Sequence, residues 1–283
     1  MKIPGLTLLS VVCLFTSRAL GQQASPSIVK NDQSQPLVML DSYFNNETRK
    51  DKKGQVLRWH YKWEEQEDGG FSIWGEQFNR SGFRLSTLYS RPTRANLKEA
   101  SVYIIVDPDT EKESEHPNYV EEQDIQEIEG WVKSGGILMM MANDIGNAEL
   151  DHFNNLAARF GAQFNKDKQG IVTADNFEMG AIGIPTGNKI FKSAKKVFIK
   201  EFSSLKTARE ADVVLRNKDG YAVVAAIKAG KGTVLLVGDP WLYNEYVSDR
   251  RLPKDFRNDQ AGQDIINWLK EHLSGRRLSA NSK

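Results

Sequence analysis

Residues Thr233 to Tyr246 read TVLLVGDPWLYNEY. Val234, Leu235, Leu236 and Val237 form an unbroken apolar run, the pattern of a strand covered on both faces. Gly238-Asp239-Pro240 ends it, because Gly frees the backbone while Pro fixes φ and withholds a donor. Trp241, Tyr243, Asn244, Glu245 and Tyr246 follow at once. Open α/β sheets bind ligands just outside the carboxyl ends of their strands, so this crowded tip is a candidate site. The other reading is a capped turn whose aromatics pack down on the core.

Working outward, Tyr221 to Lys228 is a second strand, joined to the first through Ala229-Gly230-Lys231-Gly232. The Gly pair signals a tight turn, which predicts that Thr233 to Val237 is antiparallel to one neighbour, at a sheet edge. Earlier in the chain, strands and helices alternate. The strands are Leu37 to Asp41, Phe83 to Leu88, Val102 to Val106 and Ile137 to Met141. The helices are Phe71 to Arg80, Val120 to Lys133 and Gly146 to Phe160, with a shorter one over Thr93 to Ala100. Ile171 to Thr173, Ala181 to Ile184, Lys195 to Phe202 and Asp212 to Leu215 are short strand-like runs, and Asp259 to Leu273 is a final amphipathic helix. Alternation of this kind argues for parallel βαβ units. The expected fold is α/β: a doubly wound, mostly parallel sheet flanked by helices, with an antiparallel edge in the C-terminal half.

Residues 1–21 read as a secretory signal. Lys2 gives a positive start, Leu6 to Phe15 is an apolar core too short to span a bilayer, and Ala19-Leu20-Gly21 fits a cleavage site. This predicts a periplasmic or secreted protein. Residues 22–36 read as a polar linker, 37–273 as a single α/β domain and 274–283 as a flexible tail. Cys13 is the only cysteine and lies within the signal, so disulfides, thiolate catalysis and zinc–thiolate sites are excluded from the remainder. The net charge of +1 offers no basic field for nucleic acid.

Ser42 to Gly70 is a long segment carrying Tyr43, Phe44, Trp59, His60, Tyr61 and Trp63 among many charges. Loops of that length in compact domains are often functional. No G-x-S-x-G elbow, dinucleotide fingerprint or phosphate-loop lysine is present. Asp107, Asp109, Glu111, Glu113 and His116 crowd one loop, but their spacing does not match a calcium loop and they read as a solvated acidic segment. No metal or cofactor is expected. Strand ends deliver Asp41, Asp107, Asn143, Asp144 and Asp239, and His152 follows a strand end one turn into a helix. Histidine suits proton transfer near neutral pH, which makes His152 and His60 candidates. Arg250, Arg251 and Lys254 follow the opening stretch. A pocket combining these groups suits a sugar carrying carboxylate or sulfate, with Arg clamping the anion and Trp packing on a pyranose face.

The segments VMLDSYFNNE, WHYKWE, VYIIVDPDTEKE, GGILMMMANDIGNAELDHFN and GKGTVLLVGDPWLYNEY carry a resemblance. Together they resemble the glutamine-amidotransferase-like domain found beside unsaturated glucuronyl and rhamnogalacturonyl hydrolases. Within that group they are most similar to the oligosaccharide dehydratase type of ulvan breakdown. The resemblance spans about Leu37 to Leu273 and implies a flavodoxin-like, class I amidotransferase-like sandwich. The amidotransferase nucleophile is a Cys, which this chain lacks beyond Cys13. What the resemblance implies instead is a hydro-lyase. It would remove water from the non-reducing terminal uronic acid of an acidic oligosaccharide and leave a 4,5-unsaturated uronosyl end for neighbouring hydrolases. That chemistry needs a base at C5, an acid at the C4 hydroxyl and groups that hold the carboxylate. His152 or His60 is the expected base and Tyr243 or Glu245 the expected acid. Asn143, Asp144, Asp239, Trp241, Asn244, Arg250 and Trp63 are expected to bind the sugar. The competing functions are a non-catalytic carbohydrate-binding domain and a glycoside hydrolase working through paired carboxylates.

Overall fold

The first strand of the computed structural model, β1 (Leu37–Asp41), is buried along its whole length, as an apolar run with helices on both sides requires. The structure describes residues 35–248 and 250–281, with side chains undescribed at 211 and from 275 onward. The predicted signal and most of the predicted linker lie outside the described residues. After β1 come β2 (Thr48–Lys50), β3 (Val56–Arg58), α1 (Ser72–Arg80), β4 (Arg84–Leu88), β5 (Ala100–Val106), α2 (Glu122–Lys133), β6 (Ile137–Met141) and α3 (Leu150–Ala158). The second half supplies β7 (Ala162–Phe164), β8 (Ala181–Gly183), β9 (Lys196–Phe198), β10 (Leu205–Thr207), β11 (Val213–Arg216), β12 (Ala222–Ala229), β13 (Gly232–Val237), α4 (Asn244–Val247) and α5 (Asn258–Asn281).

A nine-stranded sheet runs in the order β4-β1-β5-β6-β13-β12-β10-β7, with β11 also paired to β12. From β4 to β13 all neighbours are parallel; β12, β10, β7 and β11 are antiparallel to theirs. The expected fold class is therefore present, with one correction: Thr233 to Val237 is not at a sheet edge. β13 is interior: it pairs in parallel with β6 through Thr233↔Ile137 and antiparallel with β12.

Alternation along the central strands builds two cores. Val102, Ile104, Met139, Leu235 and Val237 face α1 and α5; Tyr103, Ile105, Leu138, Met140 and Leu236 face α2 and α3. The chain therefore leaves β6 for α3 on one face and leaves β13 for α4 and α5 on the other. Two adjacent strands whose continuations part to opposite faces open a crevice at their carboxyl ends. Gly238 keeps that crevice tight, since a Cβ there would lie 2.2 Å from the Ser203 carbonyl oxygen.

Several local predictions differ. Thr93 to Ala100 forms turns rather than a helix, and Ile171 to Thr173 is irregular. In the first, the Thr93 and Asn96 side chains bond each other's backbone amides, a local alternative to helical bonding. Helix α5 continues to Asn281, past the start of the predicted tail at residue 274. The acidic loop is not solvated throughout: Asp107 and Asp109 are buried. Asp109 Oδ2 accepts from the Asn46 amide, and the Asn45 side-chain amide donates to the Asp107 carbonyl, so the loop anchors the flap that follows β1.

Candidate active site

A cavity of about 370 Å³ occupies this crevice, within the range of small-molecule sites. Asn143, Asp144 and Asn147 line it from the loop after β6, and Asp239, Tyr243 and Glu245 from the loop after β13. Lys200 and Glu201 come from the segment beyond β9, and Trp59, His60, Tyr61, Asp68 and Gly69 from the aromatic flap. Of the predicted residues, His60, Tyr243, Glu245, Asn143, Asp144 and Asp239 thus converge.

The flap is held over the strand ends by backbone. Tyr61 N–H donates to the Gly69 carbonyl, and Asn244 and Glu245 N–H donate to the Gly70 and Asp68 carbonyls. His60 has φ 61° and Tyr61 φ 56°, left-handed values that non-glycine residues rarely adopt. Asp107 (φ 44°) and Glu201 (φ 48°) share that conformation; of the described non-glycine residues, only Ala174 adopts it elsewhere. Glu201 lines the cavity, and Asp107 touches it through the Asn143 side-chain amide, 3.3 Å from its Oδ2. Strain concentrated around one cavity is the pattern of a functional site held by its surroundings.

His60 is clamped on three sides. Its ring stacks on Trp59 at 4.0 Å and on Tyr61 at 4.6 Å, and its Nδ1 lies 2.8 Å from Glu47 Oε1. With Nδ1–H donating to Glu47, Nε2 is left as the free basic nitrogen. A Cβ on Gly69 would sit 2.7 Å from His60 Cδ2 and 3.0 Å from Nε2, so only glycine fits against that edge.

The other groups differ in protonation. Burial pushes Asp239 well above the usual carboxylate range despite Lys200 nearby, and its Oδ1 has no hydrogen-bond partner among the described residues. Burial, with Asp239 close by, also raises Tyr243. Burial thus favours the neutral, proton-bearing form of both. Burial pulls Lys200 down, but Tyr246, Glu201 and Glu245 outweigh it and leave Lys200 raised, hence cationic. Asp144 is already engaged, by Asn147 at 2.7 Å and Lys168 at 2.7 Å. Glu245 is engaged too, in an ion pair with Arg251.

Beneath the cavity, Lys62 is fully buried and donates to the Asn45 carbonyl (2.7 Å) and Asn45 Oδ1 (2.5 Å). Burial lowers it to about 8, against the pull of Asp41, Asp109 and Glu47. Asp41, raised to about 6 by burial, accepts from the Tyr103 hydroxyl and from the Tyr43 and Phe44 amides. These groups hold the flap in place and do not reach the cavity.

Five predicted residues lie elsewhere. His152 stacks on Tyr119 at 4.6 Å with Nδ1 near Glu149, in a neighbouring groove. The onset of α3 carries it away from the end of β6. Trp241 is fully buried, against Phe191, because the turn after Pro240 directs it into the core. Trp63 packs on Phe71, Trp74 and Phe78 and donates to the Ser86 carbonyl. Asn244 is fully buried; its side chain accepts from Ile73 N–H, and its Nδ2 lies near the Glu65 and Glu67 carbonyls and Ser72 Oγ. It staples the flap to α1. Arg250 is exposed and does not line the cavity.

Sequence reasoning missed Lys200, Glu201 and Glu47. The one available signal for the first two is the Lys-Glu pair that interrupts VFIKEF, which read as a continuous strand. Among the described residues, no group of three or more His, Cys, Asp or Glu is placed to hold a metal ion, and no helix is long and apolar enough to cross a membrane.

No family model matches the chain, and neither does any curated protein. Among solved structures it is similar to the mmIFT52 N-terminal domain, at 15% identity over 83% of this chain and 97% of that one, with a TM-score of 0.59. It is also similar to cytoplasmic protein STM1381 from Salmonella typhimurium LT2, at 13% identity over 83% and 98%, with a TM-score of 0.54. These likenesses establish the fold alone.

Proposed function

We propose that this cavity is the active site of an oligosaccharide dehydratase acting on a terminal uronic acid. One observation carries the reading: a clamped histidine lines the same small cavity as a buried carboxyl and a buried phenol, whose burial favours their proton-bearing forms, and one cation. β-Elimination of water α to a carboxylate asks for that combination. His60 Nε2 takes the proton from C5. Asp239, whose burial favours its proton-bearing form, and the Lys200 cation hold the carboxylate as charge develops on it. Tyr243 gives its proton to the C4 hydroxyl, the C4–O bond breaks, water leaves and a C4=C5 double bond forms. Lys200 takes the part that sequence analysis gave to Arg250. The product, an unsaturated uronosyl end, is a substrate for hydrolases of unsaturated uronic acids.

The test is incubation with uronate-terminated oligosaccharides, read by mass spectrometry and by enol-ether absorbance. Loss of one water with new absorbance is expected. His60→Gln, which keeps a hydrogen bond but removes the base, is expected to lower turnover by about 10²- to 10⁴-fold, the scale of general base catalysis. Release of a saturated monosaccharide would instead make the protein a hydrolase. Binding without any mass change would make it a carbohydrate-binding domain.

A further inference from the structure

The loop after β6 faces two cavities at once. Asn143, Asp144 and Asn147 line the strand-end cavity, while Ile145, Gly146 and Ala148 line a larger groove of about 680 Å³ on the other side. The groove holds a plate of two rings, Tyr119 and His152, stacked at 4.6 Å with planes 18° apart. Ile145 beside it is 49% exposed, so ring and aliphatic surface are presented together.

The polar groups around the plate hold it in place. Glu149 caps the first turn of α3 through the Asp151 and His152 amides and also meets His152 Nδ1 at 3.2 Å. The Tyr119 hydroxyl donates to Glu111 at 3.2 Å, and Asp151 is paired with Lys166. Lys112 Nζ donates to the Gly146 carbonyl at 3.3 Å and has no carboxylate partner among the described residues. Lys112 therefore sets a cation against Gly146, on the groove side of the loop after β6, where it can meet an anionic chain.

We propose that the Tyr119–His152 groove is a distal subsite that seats the third and later rings of an acidic oligosaccharide, counted from its terminal uronic acid. This rests on the dehydratase reading above and names the substrate as a chain rather than a free sugar or disaccharide. The terminal ring enters the strand-end cavity, the chain passes over residues 144–147, and the third and later rings pack their C–H faces on the plate. His152 contributes ring surface here and touches no reacting atom.

The experiment compares uronate-terminated disaccharide and tetrasaccharide as substrates for the wild type, Tyr119→Ala and Tyr119→Phe. Tyr119→Ala is expected to raise KM for the tetrasaccharide about five- to tenfold, the scale of one aromatic contact, with kcat kept. The disaccharide KM should move less than twofold, and Tyr119→Phe should restore the tetrasaccharide value. Equal changes on both substrates, or none on either, would overturn the subsite while leaving the dehydratase intact. If the wild type binds without turnover, the chemistry has failed but the subsite is still tested: calorimetric titration should show the same length-dependent loss in Tyr119→Ala. A wild type that binds neither oligosaccharide overturns both.

Discussion

His60 is defined as much by its neighbours as by its own chemistry. Two ring stacks, one carboxylate and one glycine fix a residue whose backbone is in a left-handed conformation. Gly69→Ala is therefore expected to push the imidazole out of line and lower turnover at least tenfold. Far-UV circular dichroism and the melting temperature should stay near wild type, because the flap rather than the core absorbs the shift. Burial raises Asp109 to about 7, so the folded state binds a proton there that the unfolded chain releases near pH 4. That contribution to stability is full at low pH and is lost as pH rises through about 7. Asp109→Asn should accordingly gain stability relative to wild type at pH 8 and not at pH 4, by on the order of a few kcal/mol in urea titrations. Little of this was legible in sequence. Asp239 and Asn143 could be found because strand ends are easy to locate. His152 and His60 could not be ranked, because whether a side chain after a strand end turns inward depends on how the next helix departs.

At the scale of elements, the flap and the loop after β13 act as one unit joined by Asn244. Its side chain meets three backbone groups and a hydroxyl while fully buried. Asn244→Ala strands those groups, and leaving buried polar groups unpaired costs about 1–3 kcal/mol each. A loss of about 2–4 kcal/mol in stability is expected, with faster limited proteolysis between residues 59 and 70. The sequence named Asn244 as a site residue for a sound local reason, its place at a strand's carboxyl tip. Its partners at Glu65, Glu67, Ser72 and Ile73 lie far back in the chain, so its structural role is invisible to local pattern. Trp241 shows the same limit: an aromatic after Gly-Asp-Pro can serve a rim or a core, and here it fills the core. Trp241→Ala should cost about 3–5 kcal/mol by chemical denaturation, the range for emptying a large buried aromatic.

Over the whole molecule, periodicity gave the long strands and helices of the first half closely, though not the turns at Thr93 to Ala100 or the short β2–β3 hairpin, because long apolar runs and amphipathic faces are set by burial on a two-faced sheet. The second half was harder to read. Its strands β7 to β10 have three residues each, too few for period to register. Hydrogen exchange should reflect this architecture. Amides of β5, β6 and β13, buried and flanked by strands on both sides, should exchange slowest. Those of the exposed β2–β3 hairpin should exchange orders of magnitude faster. The interior place of β13 also bears on how the protein is made. It is the last strand among the described residues, yet it completes the edge of β6, which is synthesised far earlier. While residues 142–231 emerge from the ribosome, the ILMMM edge of β6 has no partner on that side. An open apolar edge is a template for pairing with another chain. The liability to aggregate is thus confined to an interval during synthesis, which closes with the same strand whose far end brings Asp239 and Tyr243 into the cavity.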